Sequence, residues 1–303
     1  MKTHRTYSIG IIAYNEEKNI SDLVAALLRQ RTDRAVLDQI FVISDGSTDR
    51  TVQLVRKIKN KKVKLFQHQK RRGKPTRENE LFRRCTSDYL LIFDADTSPS
   101  SSCIQSILSQ FRSAPAPSLL SVQMKPLPGN TFVERLLQHS QLIVQKLYHR
   151  IRKENPIYLC VGRALAYSKD LYSTIVLPED IVSDDAYIFL YCHQRGYRYE
   201  HCDRAFIWYK LPTSLTDHYR QSERFFSSRK QLYRFFRKDF VNRAFGIRPS
   251  RIVSSIGWGL QKDLLLTCSY LLITVVKLVQ VRLMGLQHED PRWKVSHSSK
   301  QLR

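Results

Sequence analysis

Tyr89-Leu90-Leu91-Ile92-Phe93-Asp94-Ala95-Asp96 is the stretch whose reading decides the architecture. An apolar run this short suits a strand covered on both faces. The chain then changes character within one residue, to two carboxylates two positions apart. At a strand-to-loop junction such a pair can offer hard oxygen ligands to Mg2+ or Mn2+, which keep open positions for phosphate oxygens. Alone, the D-x-D string is common by chance. Its weight rises because Lys70-Arg71-Arg72-Gly73-Lys74 leads into a helix expected from Pro75. Free N–H groups, the helix dipole and Lys74 make that junction an anion site.

Working outward, the first 125 residues keep a βαβ rhythm. Strands are expected at Tyr7–Ala13, Gln39–Ser44, Val63–Gln67, Tyr89–Phe93 and Ser118–Met124. Helices are expected at Glu16–Gln30, Asp49–Lys59 (Ser47 or Thr48 as N-cap) and Ser101–Phe111. Short apolar strands between amphipathic helices imply an α/β fold, a mostly parallel sheet with helices on both faces. Beyond Gly129 the reading is a long helix Phe132–Arg152, a strand near Ile157–Val161 and a turn. An acidic segment Pro178–Asp185, a helix to Arg195, strand-like Tyr197–Tyr209 and a basic aromatic helix Tyr219–Phe240 follow. The apolar Tyr7–Tyr14 is expected to be a buried first strand rather than a signal peptide, since no small-residue cleavage site follows it.

In such sheets ligands bind beyond the carboxyl ends of the strands. Acids collect there: Asn15-Glu16-Glu17 after the first strand, Asp45-Gly46-Ser47-Thr48-Asp49 after the second, and Asp94-Ala95-Asp96 after the fourth. Asp49 is as well explained by capping the next helix. Neither the Walker G-x-x-x-x-G-K-[ST] spacing nor G-x-G-x-x-G is present.

The 303 residues hold 50 Lys+Arg against 27 Asp+Glu, a net +23, with an ordinary 42% hydrophobic and 25% charged residues. That composition excludes disorder, collagen, coiled coil and a polytopic membrane protein. Segments Lys57–Arg84, Tyr219–Arg243 and Lys277–Arg303 carry +10, +6 and +4. Clustered positive charge attracts nucleic acid, anionic membrane or phosphorylated small molecules, unless it is simply a solvated face. The six cysteines show no C-x-x-C pair, which points away from zinc and toward reduced thiols in a cytosolic protein. Leu264–Val276 has 13 uncharged residues. As a helix it spans about 20 Å, short of the roughly 30 Å hydrocarbon core. With Lys277, Arg282 and the basic tail beside it, it reads as a helix lying at an anionic interface; packing on the domain or just spanning, to Val281, are the alternatives.

With these segments in this order, the chain resembles the family 2 glycosyltransferases. Ile12-Ala13-Tyr14-Asn15-Glu16-Glu17 is similar to the family's opening strand and nucleotide loop. Ser44-Asp45-Gly46-Ser47-Thr48-Asp49 is similar to the segment whose first Asp holds base or ribose. Gly73-Lys74 with Asn79 is similar to G-K-x-x-x-x-N, and Asp94-Ala95-Asp96 to the metal-binding D-x-D. Asp184-Asp185 through Gly196-Tyr197-Arg198 is similar to E-D…R-x-G-Y-R, and Gln221-Ser222-Glu223-Arg224-Phe225 to Q-x-x-R-W. The departures are Asp for Glu in the acidic pair, Phe for Trp in the last motif, and a glycine-rich acceptor segment reduced to Gly162-Arg163-Ala164.

The resemblance implies a GT-A, Rossmann-type fold over 1–245, with a nucleotide-sugar half 1–125 and an acceptor half 126–245. Residues 246–303 then form C-terminal amphipathic or apolar helices and a basic tail that seek a membrane. It implies Ala13, Tyr14, Asn15, Glu16, Asp45 and Lys74 around a nucleotide-sugar donor, UDP being the commonest nucleotide. Asp96, helped by Asp94, would hold Mg2+ or Mn2+. Lys74 and Arg224, beside Gln221, would attend the phosphates, and Asp185, next to Asp184, would be the general base of an inverting transfer. Its pKa would have to be raised by apolar neighbours, for which Tyr187, Ile188 and Phe189 are candidates. Glu179 and Asp180 are rivals for that role. The expected acceptor is lipid-linked or a surface glycan, and the expected place is cytoplasmic, peripheral on the inner face of the membrane. Two other readings stand beside this one. A sugar-1-phosphate nucleotidyltransferase would carry a Gly-rich basic loop where Asn15-Glu16-Glu17 stands. A nucleic-acid-binding protein would use the basic clusters, but no known nucleic-acid module is present, so nucleic acid is not an expected partner.

Overall fold

In a computed structural model the described residues are 5–284 and 302, the side chains of 220–228 and 281–284 excepted. The chain runs β1 (Arg5–Ala13), α1 (Ile20–Leu28), β2 (Ala35–Asp45), α2 (Thr51–Arg56), β3 (Val63–His68), α3 (Lys74–Arg84), β4 (Tyr89–Asp94), β5 (Thr97–Pro99), α4 (Cys103–Gln110) and β6 (Leu119–Pro126). Then come α5 (Phe132–Ile151), β7 (Ala164–Ser168), α6 (Lys169–Tyr172), α7 (Asp184–Gln194), β8 (Tyr199–Tyr209), α8 (Leu215–Leu232), α9 (Lys238–Ala244), α10 (Pro249–Lys262) and α11 (Leu264–Met284).

One sheet orders them β3-β2-β1-β4-β7-β6-β8-β5. The first four in that order are parallel, as the βαβ rhythm requires. Beyond β4 the sheet is mixed: β7 pairs antiparallel with both β4 and β6, β6 is parallel to β8, and β5 closes antiparallel on β8. The parallel part is therefore the N-terminal half, not the whole sheet. β4 lies at the seam, and its C-terminal end carries Asp94.

Alternation along β4 decides where that carboxylate goes. Leu91 and Phe93 join the core under α1 and α4, with Ile20, Leu23 and Ile104. Leu90 and Ile92 join the opposite core, under α3 and α7, with Leu81, Phe82, Ile188 and Phe189. Asp94 continues the even parity, so it emerges on the α3/α7 side.

Three local expectations are corrected. Ile157–Val161 is not a strand: Pro156–Leu159 makes a 3₁₀ turn whose apolar side chains fill the core, and the strand comes later, at Ala164–Ser168. The helix expected over Tyr219–Phe240 is two, α8 and α9, broken between Leu232 and Lys238. Ser47 and Thr48 do not cap α2. They bond Asn15 instead (Thr48 N–H to Asn15 Oδ1, 2.8 Å), and Asp49 accepts the Thr51 N–H at 3.0 Å.

α10 and α11 pack against α5. Gly259 sits so close to Ile143 that a Cβ there would come within 2.5 Å of its Cδ1. His139 Nε2 and Thr267 Oγ1 meet at 2.8 Å, and Arg150 donates to Ser254 Oγ at 2.7 Å. The other face of these helices is open: Val253, Leu265 and Leu272 are 68%, 69% and 66% exposed. Among the described residues no helix is long and apolar enough to cross a membrane.

Candidate active site

Four elements deliver charge to one point. Lys74 opens α3, Asp94 ends β4, Asp184 and Asp185 open α7, and Gly162 lies just before β7. Lys74 Nζ lies 2.9 Å from Asp94 Oδ1 and 3.2 Å from Asp184 Oδ2, and donates to the Gly162 carbonyl at 2.7 Å. Glu78, one turn along α3, brings Oε1 to 3.9 Å of the same ammonium. Burial pulls the Lys74 ammonium down, but Asp184, Asp94 and Glu78 together hold it well above its ordinary value. Burial, reinforced by Asp184, pushes Glu78 well above the carboxylate range, and neither of its oxygens has a hydrogen-bond partner. Burial thus favours the protonated form of Glu78 beneath a charged site. Burial also raises Asp184, against the pull of Lys74.

Asp185 stands beside this group without joining the ion pairs. Its Oδ2 accepts the Gly162 N–H (3.1 Å), and its Oδ1 accepts the Ser183 hydroxyl and the Ala186 N–H (both 2.7 Å). Its hydrogen-bond neighbours are these donors. Ile188 and Phe189 are buried in the core, with Tyr187 packed against it. Three donors fix the carboxylate beside Gly162. A Cβ at Gly162 would sit 3.2 Å from Lys74 Nζ and 3.3 Å from Asp185 Cβ, so a larger residue would press on both side chains.

The donor side lies at the ends of β1 and β2. Asp45, 3% exposed, accepts the N–H groups of Arg72 (2.9 Å) and Gly73 (2.8 Å) and Arg77 Nε (2.7 Å). Its carboxylate shapes the basic loop as much as it could read a base. Gly46, at φ 77°, allows that loop to pass close, since a Cβ would meet the Arg71 nitrogen at 2.9 Å. The Arg71 guanidinium lies over the Tyr14 ring, 3.9 Å from its centroid. Asn15, at φ 54°, bonds Ser47 and Thr48 and so joins the first two strand ends. Ala13 is fully buried, and Glu16 accepts from Asn19 Nδ2 (3.0 Å).

Asp94 and Asp96 each show about a fifth of their side chain to solvent. Among the described residues no three His, Cys, Asp or Glu side chains converge as a metal cage. A pair of carboxylates is nevertheless the donor set of a hard divalent ion that completes its shell with phosphate oxygens, so the residues fit Mg2+ or Mn2+ held jointly with a nucleotide diphosphate. Glu179 and Asp180 are spent on surface pairs with Arg72 (2.8 Å) and Arg234 (2.7 Å). Gln221 and Arg224 lie on α8, and their side chains fall outside the described residues.

Glu78 is a site residue that sequence reasoning did not single out, and Gly162 and Arg163 entered it only as the remnant of a glycine-rich acceptor segment, with no role assigned. Glu78 carried one signal, an acid four residues after Lys74. Arg163 faces Asp96 at 3.3 Å, a contact that its place in the reduced acceptor segment did not indicate.

The comparisons with known proteins bear on the fold and the family. Poly-beta-1,6-N-acetyl-D-glucosamine synthase of Staphylococcus aureus (strain COL) is 22% identical over 222 residues, 71% of this chain and 52% of the synthase. The chain thus spans about half the length of that curated relative. Among solved structures, the mannosyltransferase PcManGT from Pyrobaculum calidifontis with GDP-Man and Mn2+ superposes with a TM-score of 0.63 at 16% identity, covering 93% of this chain and 86% of that one. S. aureus TarS 1-349 with UDP-GlcNAc gives 0.54 at 18%, covering 84% and 81%. These likenesses show the GT-A fold. The family model Glycosyl transferase family 2 matches residues 8–176, more than half of the chain. With the strand-end carboxylates in the family's order, the chain belongs to glycosyl transferase family 2.

Proposed function

We propose that the protein is an inverting, metal-dependent glycosyltransferase that moves a sugar from a nucleotide diphosphate to an acceptor hydroxyl. The observation that carries this reading is the convergence of Lys74, Asp94 and Asp184 on one point, with Asp185 oriented beside them by three donors. Transfer poses two electrostatic problems: the leaving diphosphate gains charge and the acceptor hydroxyl must lose a proton. Asp94 and Asp96 would hold a divalent ion, which would supply positive charge to the leaving diphosphate. Lys74 adds a fixed cation at a helix N-terminus. Asp185 takes the acceptor proton as the hydroxyl attacks the anomeric carbon opposite the leaving group, in one step and with no covalent sugar–protein intermediate. Tyr14, Asn15 and Asp45 hold the nucleotide.

The names of the relatives make UDP-N-acetylglucosamine the first donor to test and GDP-mannose the second, with a lipid-linked or surface glycan as acceptor. The open apolar face of α10 and α11 supports docking on the inner face of an anionic membrane, whereas Lys277, expected to flank that face, is 5% exposed and turned into the protein. Residues 1–245 are then the catalytic domain and 246–303 the membrane-seeking segment.

The test offers a panel of nucleotide sugars with Mn2+. Nucleoside diphosphate is released from one donor. Asp185→Asn lowers kcat by about 10²- to 10⁴-fold with the fold retained, and Asp96→Ala abolishes the metal response. Full turnover in both variants sinks the mechanism.

A further inference from the structure

The D-x-D carboxylates do not stand open. Asp94 Oδ1 faces Lys74 Nζ at 2.9 Å, and both oxygens of Asp96 lie 3.3 Å from Nη1 of Arg163. Arg163 is held in place from two sides. Its carbonyl accepts the Asp94 N–H at 2.8 Å, because it precedes β7, the strand antiparallel to β4. Its guanidinium lies 4.7 Å from the centroid of the Tyr209 ring, a side chain that is itself 5% exposed. Arg163 and Asp96 each remain 21% exposed on their side chains, enough to meet a ligand. The two cations are not equivalent. Lys74 is also engaged by Asp184, Glu78 and the Gly162 carbonyl. The one salt bridge of Arg163 among the described residues is to Asp96.

A divalent ion and Arg163 therefore compete for the same two oxygens. A diphosphate changes that competition, since it offers the guanidinium a bidentate anion of higher charge. We propose that Arg163 is a diphosphate-binding residue that covers Asp96 in the ligand-free protein and releases it to the metal when the nucleotide arrives. This rests on the reading of Asp94 and Asp96 as the metal pair, and adds that metal and nucleotide bind as a coupled unit. By linkage each ligand tightens the other by the same factor. The family's motifs do not ask for an arginine here; it comes from this chain's own Gly162-Arg163-Ala164.

Loss of the free Mn2+ electron paramagnetic resonance signal measures metal binding without turnover. Wild type, Arg163→Met, Arg163→Lys and Asp96→Asn are titrated with Mn2+ alone and with saturating UDP or GDP, with circular dichroism melts as a check on folding. Wild type binds Mn2+ weakly alone and about 10- to 100-fold tighter with its nucleotide. Arg163→Met binds Mn2+ alone at least about fivefold tighter than wild type and gains correspondingly less from nucleotide. Arg163→Lys, which keeps the charge but loses the fork, lies between the two and carries the comparison if the methionine variant does not fold. Mn2+ affinity and nucleotide enhancement unchanged from wild type in these variants overturn the proposal. If Asp96→Asn keeps the full nucleotide-dependent binding, the metal-pair reading itself fails. If Asp96→Asn loses it while the Arg163 variants match wild type, only the role of Arg163 fails.

Discussion

Two regions of this molecule reverse the usual partition of residues, in opposite senses. Beneath the ends of β1, β4 and α3, the ionisable side chains of Lys74, Glu78, Asp94 and Asp184 are 10%, 0%, 18% and 4% exposed. On the outside of α11, Leu264, Leu272 and Val276 are 65%, 66% and 52% exposed. The first region places charge where a core would be cheaper; the second places core residues in water. The inner region settles its own electrostatics: one ammonium answers Asp94 and Asp184 at close range, and burial raises the third carboxyl, Glu78, toward its protonated form. Nothing among the described residues covers the outer one. An enzyme whose chemistry is internal and whose docking is external would be built this way.

The largest break in that comparison is Lys74→Met. It removes the one cation that Asp94, Asp184 and Glu78 share. Stripping one partner from a buried ionic group costs about 3–5 kcal/mol, because the remaining charges stay behind unpaired. Those carboxylates escape by taking up protons, so the loss is larger at pH 8 than at pH 5. Denaturant melts at the two pH values measure it; an equal loss at both would show that the carboxylates do not depend on Lys74.

A smaller and separate effect is expected on α11. Leu272→Glu with Val276→Glu changes side chains that touch little protein, so stability stays within about 0.5 kcal/mol. Each immersed Leu or Val side chain contributes roughly 1.5–3 kcal/mol to burial in an apolar phase. Sedimentation with anionic vesicles should therefore fall at least about tenfold in the double variant. Unchanged sedimentation would remove the membrane from the proposed function and leave the transferase chemistry untouched.

How much of this was legible in the sequence follows the same division. Asp45, Asp94 and the N-terminal strands were readable because in a parallel sheet each functional residue directly follows an apolar run, and the βαβ rhythm puts those ends on one edge. The contacts of Arg163 with Asp96 and of Gly162 with Lys74 were not, because they depend on β7 lying antiparallel beside β4. β7 is Ala-Leu-Ala-Tyr-Ser, weak in β-branched residues, whereas the stronger apolar signal at Ile157–Val161 belongs to a 3₁₀ turn packed into the core. Glu78 was hidden for another reason. It lies in Arg77-Glu78-Asn79-Glu80, a polar string that reads as solvated, yet all four are buried: Arg77 by Asp45 and Asn79 by the backbone of Leu177. The outer face of α11 was legible as apolar, but that its other face packs on α5 was not.

Glu78→Gln sharpens the comparison with the smallest change. Glutamine keeps the shape of the protonated acid, so in the acid range, where Glu78 is neutral folded and unfolded, stability should shift by less than about 1 kcal/mol. The two proteins then diverge as pH rises. The folded Glu78 is raised above its ordinary value by burial, Asp184, Asp94 and Asp185, against Lys74, so the unfolded chain loses its proton first. Above the ordinary carboxylate range the folded state binds more protons than the unfolded one, and the wild type loses stability with each step in pH up to the folded pKa. Glutamine has no proton to lose there. Glu78→Gln should therefore gain on wild type between pH 5 and pH 8 in paired thermal melts, with activity at neutral pH close to normal. A constant difference across that range would mean that Glu78 is ionised in the folded protein, with Lys74 as its true partner rather than a neighbour that Asp94 and Asp184 hold in common.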